Sequence, residues 1–186
     1  VMADRIVAGT YMLLLAAAGG EICLRETPAG QLQSLWPVLA ALGTESRIEG
    51  ETVLLKRQAR KKCGLEVTTA PYPGFPTDLQ SPLLGALAGL PGRSRIREQV
   101  FEARFKIVEE LRKMGAEIRL TGQEAEVRGR RLWGATLEAR ELRGGAALCI
   151  AAAAAEGRSR ILGYPYIARG YENIIGDLQK LGVMIY

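Results

Sequence analysis

The 186-residue chain contains no histidine. That removes imidazole metal sites, Ser-His and Cys-His nucleophile pairs and the commonest general base, so Asp, Glu, Lys and Arg must carry any chemistry. Asp78 stands out first. It lies in PYPGFPTDLQ, residues 71–80, where three prolines within six residues stiffen the backbone just ahead of one carboxylate. Four arginines stand out next, each at an expected helix start: Arg5 before IVAGTYMLLL, Arg104 before FKIVEEL, Arg143 before GGAALCI and Arg169 before GYENIIGDL. A helix N-terminus already carries about half a positive charge, so a cation there is disfavoured by roughly 0.3–1 kcal/mol unless an anion joins it. If these ends converge, backbone N–H groups and guanidinium forks together make a site for phosphate or pyrophosphate. If they do not, each is a solvated arginine whose cost is screened.

Asp78 has two readings at this level. Thr77 and Gln80 fit a Thr-x-x-Gln capping box, which puts Asp78 in the first turn of a helix, where its charge suits the dipole. Ser81-Pro82 offers a competing start, as cap and first residue. In either case the residues alone make Asp78 a structural cap.

The elements that must position these groups form a pattern that occurs three times: an Ala/Leu-rich helix closed by Gly, a β run, a second helix closed by Gly, and further β runs. The first helices are expected to end at Gly20, Gly92 and Gly157, and the second at Gly43, Gly115 and Gly182. Glycine is placed there because a left-handed residue closes the helix. The first helix of each unit is almost wholly apolar and small, so it is expected to be buried on all sides, whereas FKIVEELRKMG is amphipathic and should face solvent. The pattern predicts an α/β domain with pseudo-threefold symmetry, in units of about 1–57, 70–130 and 131–186, with GVMIY as a final strand.

Composition narrows the partners. Hydrophobic residues make up 48% of the chain, enough for a core, and the net charge of +5 comes from 25 basic residues interspersed with 20 acidic ones. With aromatics at 6%, that balance fits a small anionic substrate and argues against nucleic acid. The longest apolar stretch, YMLLLAAAGG, is far short of the roughly 20 residues that span a bilayer, so no membrane partner is expected. Cys23, Cys63 and Cys149 are odd in number and far apart, which suggests neither a disulfide framework nor a zinc site and fits a reducing cytoplasm. Cys23 and Cys149 sit in apolar stretches and are expected in the core; Cys63 follows the basic run RQARKK and reads as a solvated loop. With no signal peptide and no tail at either end, the sequence reads as an excised piece.

Taken together and in order, DRIVAGTY, PYPGFPTDLQ, VFEARF, ELRGGAAL and RGYENI resemble consecutive motifs of the enolpyruvyl transferases of the UDP-N-acetylglucosamine 1-carboxyvinyltransferase type. The resemblance runs the whole chain. The related 5-enolpyruvylshikimate-3-phosphate synthases would share the fold, but their shikimate-binding motifs are not seen here. The resemblance implies an inside-out α/β barrel domain, three βαβαββ-like units around buried helices, matching the second of two domains that close on substrates in a cleft. It implies enolpyruvyl transfer from phosphoenolpyruvate to the 3-hydroxyl of UDP-N-acetylglucosamine, the first committed step of peptidoglycan synthesis, without metal or cofactor.

On the matching positions, the resemblance makes Asp78 the aspartate that contacts the sugar hydroxyl and acts as general base, Val100 a UDP-sugar contact, and Arg169 the arginine that binds phosphoenolpyruvate and clamps the domains. Arg5, Arg104 and Arg143 match further cleft arginines. Glu141 stands where many members have Asp, and PYIARGYE departs from the usual residues before Arg-Gly-Tyr-Glu. The family's N-terminal lysine and loop cysteine have no counterpart among these residues, so the chain supplies about half an active site and the missing first domain is an implied partner. The alternative reading is a non-catalytic domain or paralogue that only binds a nucleotide-sugar or another anion.

Overall fold

A computed structural model describes residues 3–57, 62 and 64–185; Cys63 and most of the basic run before it lie outside the described residues. In chain order the elements are α1 (Arg5–Ala18), β1 (Gly20–Leu24), α2 (Trp36–Ala41), β2 (Glu45–Glu49), β3 (Thr52–Arg57) and β4 (Glu66–Thr68). Then follow α3 (Gln80–Gly89), β5 (Gly92–Arg97), α4 (Val108–Lys113), β6 (Glu117–Thr121), β7 (Glu124–Gly129) and β8 (Thr136–Glu138). The chain ends with α5 (Leu142–Ala154), β9 (Arg160–Leu162), α6 (Tyr164–Ala168) and α7 (Ile174–Lys180).

The helices richest in small apolar residues are the ones that pack on one another. α1, α3 and α5 are in mutual contact, and every residue of α3 is buried. Close approach depends on Gly85: a Cβ built there would lie 2.5 Å from the Ala147 carbonyl oxygen of α5, so α3 and α5 touch backbone to backbone. Around this trio lie three separate sheets, ordered β1-β3-β2, β4-β5-β7-β6 and β8-β9. The β4–β5 and β8–β9 pairs are parallel, each joined through a central helix, while the remaining pairs are antiparallel. Among the described residues the sheets do not join into a closed barrel, contrary to the barrel the resemblance implies.

Strand periodicity sets which side chains meet the helices. In β5, Ser94 and Ile96 are buried while Arg93, Arg95 and Arg97 are exposed, and β7 buries Ala125 and Val127. The outer face carries pairs such as Arg95 with Glu124 at 3.0 Å, and exposed pairs of this kind add little stability. The same alternation corrects the expectation for Cys23: Ile22 takes the inward position of β1, so Cys23 faces out and is exposed. Cys149, on α5, packs against the core, and burial pushes its thiol pKa up to about 12.

All six glycines of the two expected series have positive φ. Gly43, Gly115 and Gly182 close α2, α4 and α7 in one and the same way. The glycine N–H bonds the carbonyl three residues back (Ala40, Arg112, Gln179), and the next N–H reaches Leu39, Leu111 or Leu178. That is the Schellman arrangement. The other series differs from expectation. Gly20 and Gly92 open strands, and the residue capping α1 is Gly19. The α1 end is closed by a buried side chain, since Arg57 donates from Nη1 to the carbonyls of Ala16 and Ala17, placing a cation where the helix dipole favours one. GVMIY also departs: residues 183–185 form no strand.

Candidate active site

Asp78 sits in a 3-10 turn, Thr77–Leu79, that leads into α3. Pro76 is extended (φ −69°, ψ 132°), so the proline-rich approach delivers the turn from a β-like backbone. Neither expected start is taken whole; the chain makes the tight turn first and begins the α-helix at Gln80, with Pro82 in its first turn, where amides lack helical partners anyway. The capping box does not form. Thr77 Oγ1 donates instead to Glu98 Oε2 at 2.9 Å, and the buried Gln80 side chain accepts from Ser81 Oγ at 3.0 Å.

The carboxylate of Asp78 gathers two of the arginines. Arg104 Nη1 and Nη2 each donate to Oδ1 at 3.3 Å, and Arg143 Nη2 donates to Oδ2 at 3.1 Å. An ionised carboxylate offers about four acceptor positions, so three donors leave about one open, on Oδ2. The Asp78 side chain is 36% exposed, against 20% for Arg104 and 15% for Arg143, so that position is reachable from solvent while its partners are largely covered. Two guanidinium groups on one carboxylate leave the cluster net positive, the sign an anionic substrate requires.

Each arginine arrives by a different route. Arg143 is in the first turn of α5 and is the one that most needs a counter-charge; Asp78 supplies it across 65 residues of sequence. Its Nη1 is buried beside Tyr171. Tyr171, 1% exposed, shares a 2.8 Å hydrogen bond with Thr10 of α1. Burial raises the Tyr171 pKa, and the Thr10 bond and the Arg143 charge offset part of that rise. Arg104 does not begin a helix: α4 starts at Val108, so Arg104 lies in the preceding turn, its guanidinium 4.7 Å from the centre of the Phe101 ring.

Arg5 is the first residue of α1, where Asp4 caps the helix by accepting from Ile6 N at 2.6 Å. Its guanidinium lies 5.0 Å from the centre of the Tyr72 ring, which ties α1 to the PYPG stretch. Glu141 is the N-cap residue of α5, without a side-chain capping bond. Val100 N donates to Glu98 Oε1 at 2.8 Å. Arg169 differs most from expectation. It caps the C-terminal end of the short α6, where a cation is favoured, it is exposed, and among the described residues no hydrogen bond or ion pair joins it to Asp78. Geometry thus brings together Asp78, Arg104 and Arg143, sets Arg5 and Val100 on the flanking segments, and leaves Arg169 apart.

Glu98 escaped the sequence reading. Its carboxylate is 1% exposed and meets Thr69, Thr77 and the amides of Val100 and Phe101. The signal was present in the RSRIRE stretch: with arginines at 93, 95 and 97 facing out, residue 98 falls on the buried parity of the strand, and a carboxylate there must be held by donors. Among the described residues no three His, Cys, Asp or Glu side chains gather as a metal site, and no helix is long and apolar enough to cross a membrane.

The chain as a whole matches a known family. The profile of EPSP synthase (3-phosphoshikimate 1-carboxyvinyltransferase) matches residues 1–178, and the chain belongs to that family. Within it, the chain is 42% identical over 186 residues to the UDP-N-acetylglucosamine 1-carboxyvinyltransferase of Clostridium botulinum (strain ATCC 19397 / Type A), covering 100% of this chain and 44% of that protein. It is also 42% identical over 187 residues to the protein of the same name from Desulfofundulus thermocisternus, covering 100% of this chain and 76% of that one. Among solved structures, the enolpyruvyl transferase NikO from Streptomyces tendae superposes with a TM-score of 0.88 at 26% identity, over 100% of this chain and 44% of that one. EPSP synthase from Acinetobacter baumannii, at a TM-score of 0.62 and 16% identity, shares the fold alone over 87% of this chain and 39% of its own. The chain thus spans about half the length of most of the curated relatives it matches.

Proposed function

We propose that this chain supplies one side of the active site of an enzyme that transfers enolpyruvyl from phosphoenolpyruvate to the 3-hydroxyl of UDP-N-acetylglucosamine, in the cytoplasm and at the start of peptidoglycan synthesis. The observation that carries the reading is Asp78, partly exposed, gripped by Arg104 and Arg143 and left with an open acceptor position. The relatives' names supply the sugar substrate and the class of reaction.

In this reading the sugar hydroxyl enters the open Oδ2 position of Asp78. Its oxygen attacks C2 of phosphoenolpyruvate as Asp78 takes the proton, and C3 gains a proton from a donor outside this chain. The tetrahedral adduct then loses a proton from C3 and its phosphate, leaving the enolpyruvyl ether. General-base catalysis of this kind contributes about 10²–10⁴ in rate. Arg104, Arg143 and Arg5 orient and neutralise phosphate and carboxylate, Val100 and Glu141 contact the UDP-sugar, and Arg169 approaches only when a missing first domain closes over the cleft. The three identical helix closures at Gly43, Gly115 and Gly182 support three repeated units arranged inside out, with boundaries near 57, 70 and 130. The test is phosphate release by the full-length protein. Release that needs both phosphoenolpyruvate and UDP-N-acetylglucosamine is the expected result, with none from the 186-residue chain alone; sugar binding without release would make this a binding domain.

A further inference from the structure

Glu98 is a buried carboxylate with no ion pair to a cation among the described residues. It follows directly on β5, and both its oxygens are held by neutral donors: Oε1 by Thr69 Oγ1 at 2.8 Å, Val100 N at 2.8 Å and Phe101 N at 3.1 Å, and Oε2 by Thr77 Oγ1 at 2.9 Å. Thr69 Oγ1 gives its proton to Glu98, because an ionised carboxylate only accepts, and itself accepts from Gln99 N at 2.9 Å. Leaving a carboxylate like this unpaired would be costly, so the arrangement holds all four donors in place.

Those donors belong to the segments that make the site. Thr77 is the residue before Asp78 and opens its 3-10 turn. Val100 and Phe101 begin the turn that carries Arg104, and Phe101 is the ring under the Arg104 guanidinium. Thr69 directly follows β4, its N–H bonded to the Arg97 carbonyl at 2.9 Å. One carboxylate therefore ties the segment that carries Asp78 to the one that carries Arg104.

We propose that Glu98 is the positioning residue that sets the Asp78 turn and the 100–104 turn in register, so that Asp78 meets the attacking hydroxyl while Val100 meets the sugar nucleotide; this rests on the reaction proposed above. Of its bonds, the Thr77 bond serves the base, and the bonds to Val100 and Phe101 serve the sugar-nucleotide side. A misplacement of about 1 Å costs about 10²-fold in rate, and the two sets of bonds should fail in kinetically separate ways.

The experiment compares Thr77→Val, Glu98→Ala and Glu98→Gln in the full-length protein, by amide hydrogen exchange without ligands and by steady-state kinetics per folded site. Glu98→Ala should speed exchange at residues 99–101 and 77–80, lower kcat and raise KM for UDP-N-acetylglucosamine. Thr77→Val should speed exchange at 77–80 alone and lower kcat about tenfold with KM for the sugar within about threefold of wild type, the split expected for a group acting in the transition state. Glu98→Gln should recover most of both, since its amide can donate to Thr77 Oγ1 while its carbonyl keeps the other side. Exchange in Glu98→Ala equal to wild type overturns the proposal. So does a Thr77→Val enzyme with wild-type kcat per folded site, or a loss matched by lost folded fraction. If the wild-type protein forms no product, the reaction assigned above falls, and exchange alone decides whether Glu98 holds the two turns.

Discussion

Asp78 and Glu98 are two carboxylates 20 residues apart, joined through Thr77, and the chain treats them in opposite ways. Glu98 is sealed from solvent at 1% exposure, and its oxygens accept only from hydroxyls and backbone amides. Asp78 is held by two guanidinium groups, reaches solvent and keeps a position free. A side chain can thus be both fixed and available. Cations grip Asp78 from its covered side and match an anionic substrate, and a second, closed carboxylate gives the turn its rigidity, so Asp78 need not be buried to be ordered.

The comparison can be strained at several points. The largest effect should come from Arg143→Gln, which frees Oδ2 of Asp78 and removes a cation from the cluster; kcat should fall about 10²-fold, the scale of losing one preorganised donor. Turnover within a few-fold of wild type would mean that the grip on Asp78 is structural only. Next comes Gly85→Ala. The added methyl would press on the Ala147 carbonyl and shift α3 against α5, the two helices whose starts carry Asp78 and Arg143. Urea unfolding should show a loss of about 1–3 kcal/mol, with the Asp78 contacts disturbed and the Glu98 bonds, which do not involve α5, kept. An unfolding curve matching wild type would show that the helices yield without strain.

The smallest effect concerns a third, intermediate carboxylate. Glu110 is buried but has a cation: Lys113 Nζ lies 2.7 Å from both its oxygens, and Glu138 N donates at 2.9 Å. Burial alone would raise its pKa, but the Lys113 and Glu138 bonds outweigh that and hold it below its ordinary value of 4.5. A depressed folded-state pKa adds stability above about pH 4.5, lost as pH falls through the lower folded value. Glu110→Gln should therefore flatten the acid limb of the stability curve in that window and leave neutral-pH turnover alone; an acid limb as steep as wild type would refute the assignment.

How much of this was legible depended on whether a feature is local. The helix–strand order and the second glycine series follow from short-range patterns, and α2, α4 and α7 do close on Gly43, Gly115 and Gly182. The pairing of Asp78 with Arg143 spans 65 residues and was not foreseen: the anion expected at Arg143 was a phosphate, not a carboxylate of the same chain. Arg104 and Arg169 were misplaced relative to their helices because the expected starts, FKIVEEL and GYENIIGDL, begin with turns, and the helices start only at Val108 and Ile174. The Thr77–Gln80 box failed for an energetic reason. A buried Glu98 needs the Thr77 hydroxyl more than the helix does, because an unpaired buried carboxylate costs more than an uncapped amide. Glu98 itself was readable from strand parity, Cys23 likewise, and neither reading was made until the alternation of β5 and β1 was set against their neighbours.

The most direct measurement is turnover and sugar binding by Asp78→Asn in the full-length protein. The substitution keeps the shape and one acceptor oxygen but turns the other into a donor and removes the proton acceptor, so UDP-N-acetylglucosamine should bind within a modest factor of wild type while kcat falls about 10²–10⁴-fold. An Asp78→Asn enzyme that releases phosphate at near wild-type rate would contradict the account, for the carboxylate held by Arg104 and Arg143 would then be an anchor, as Glu98 is.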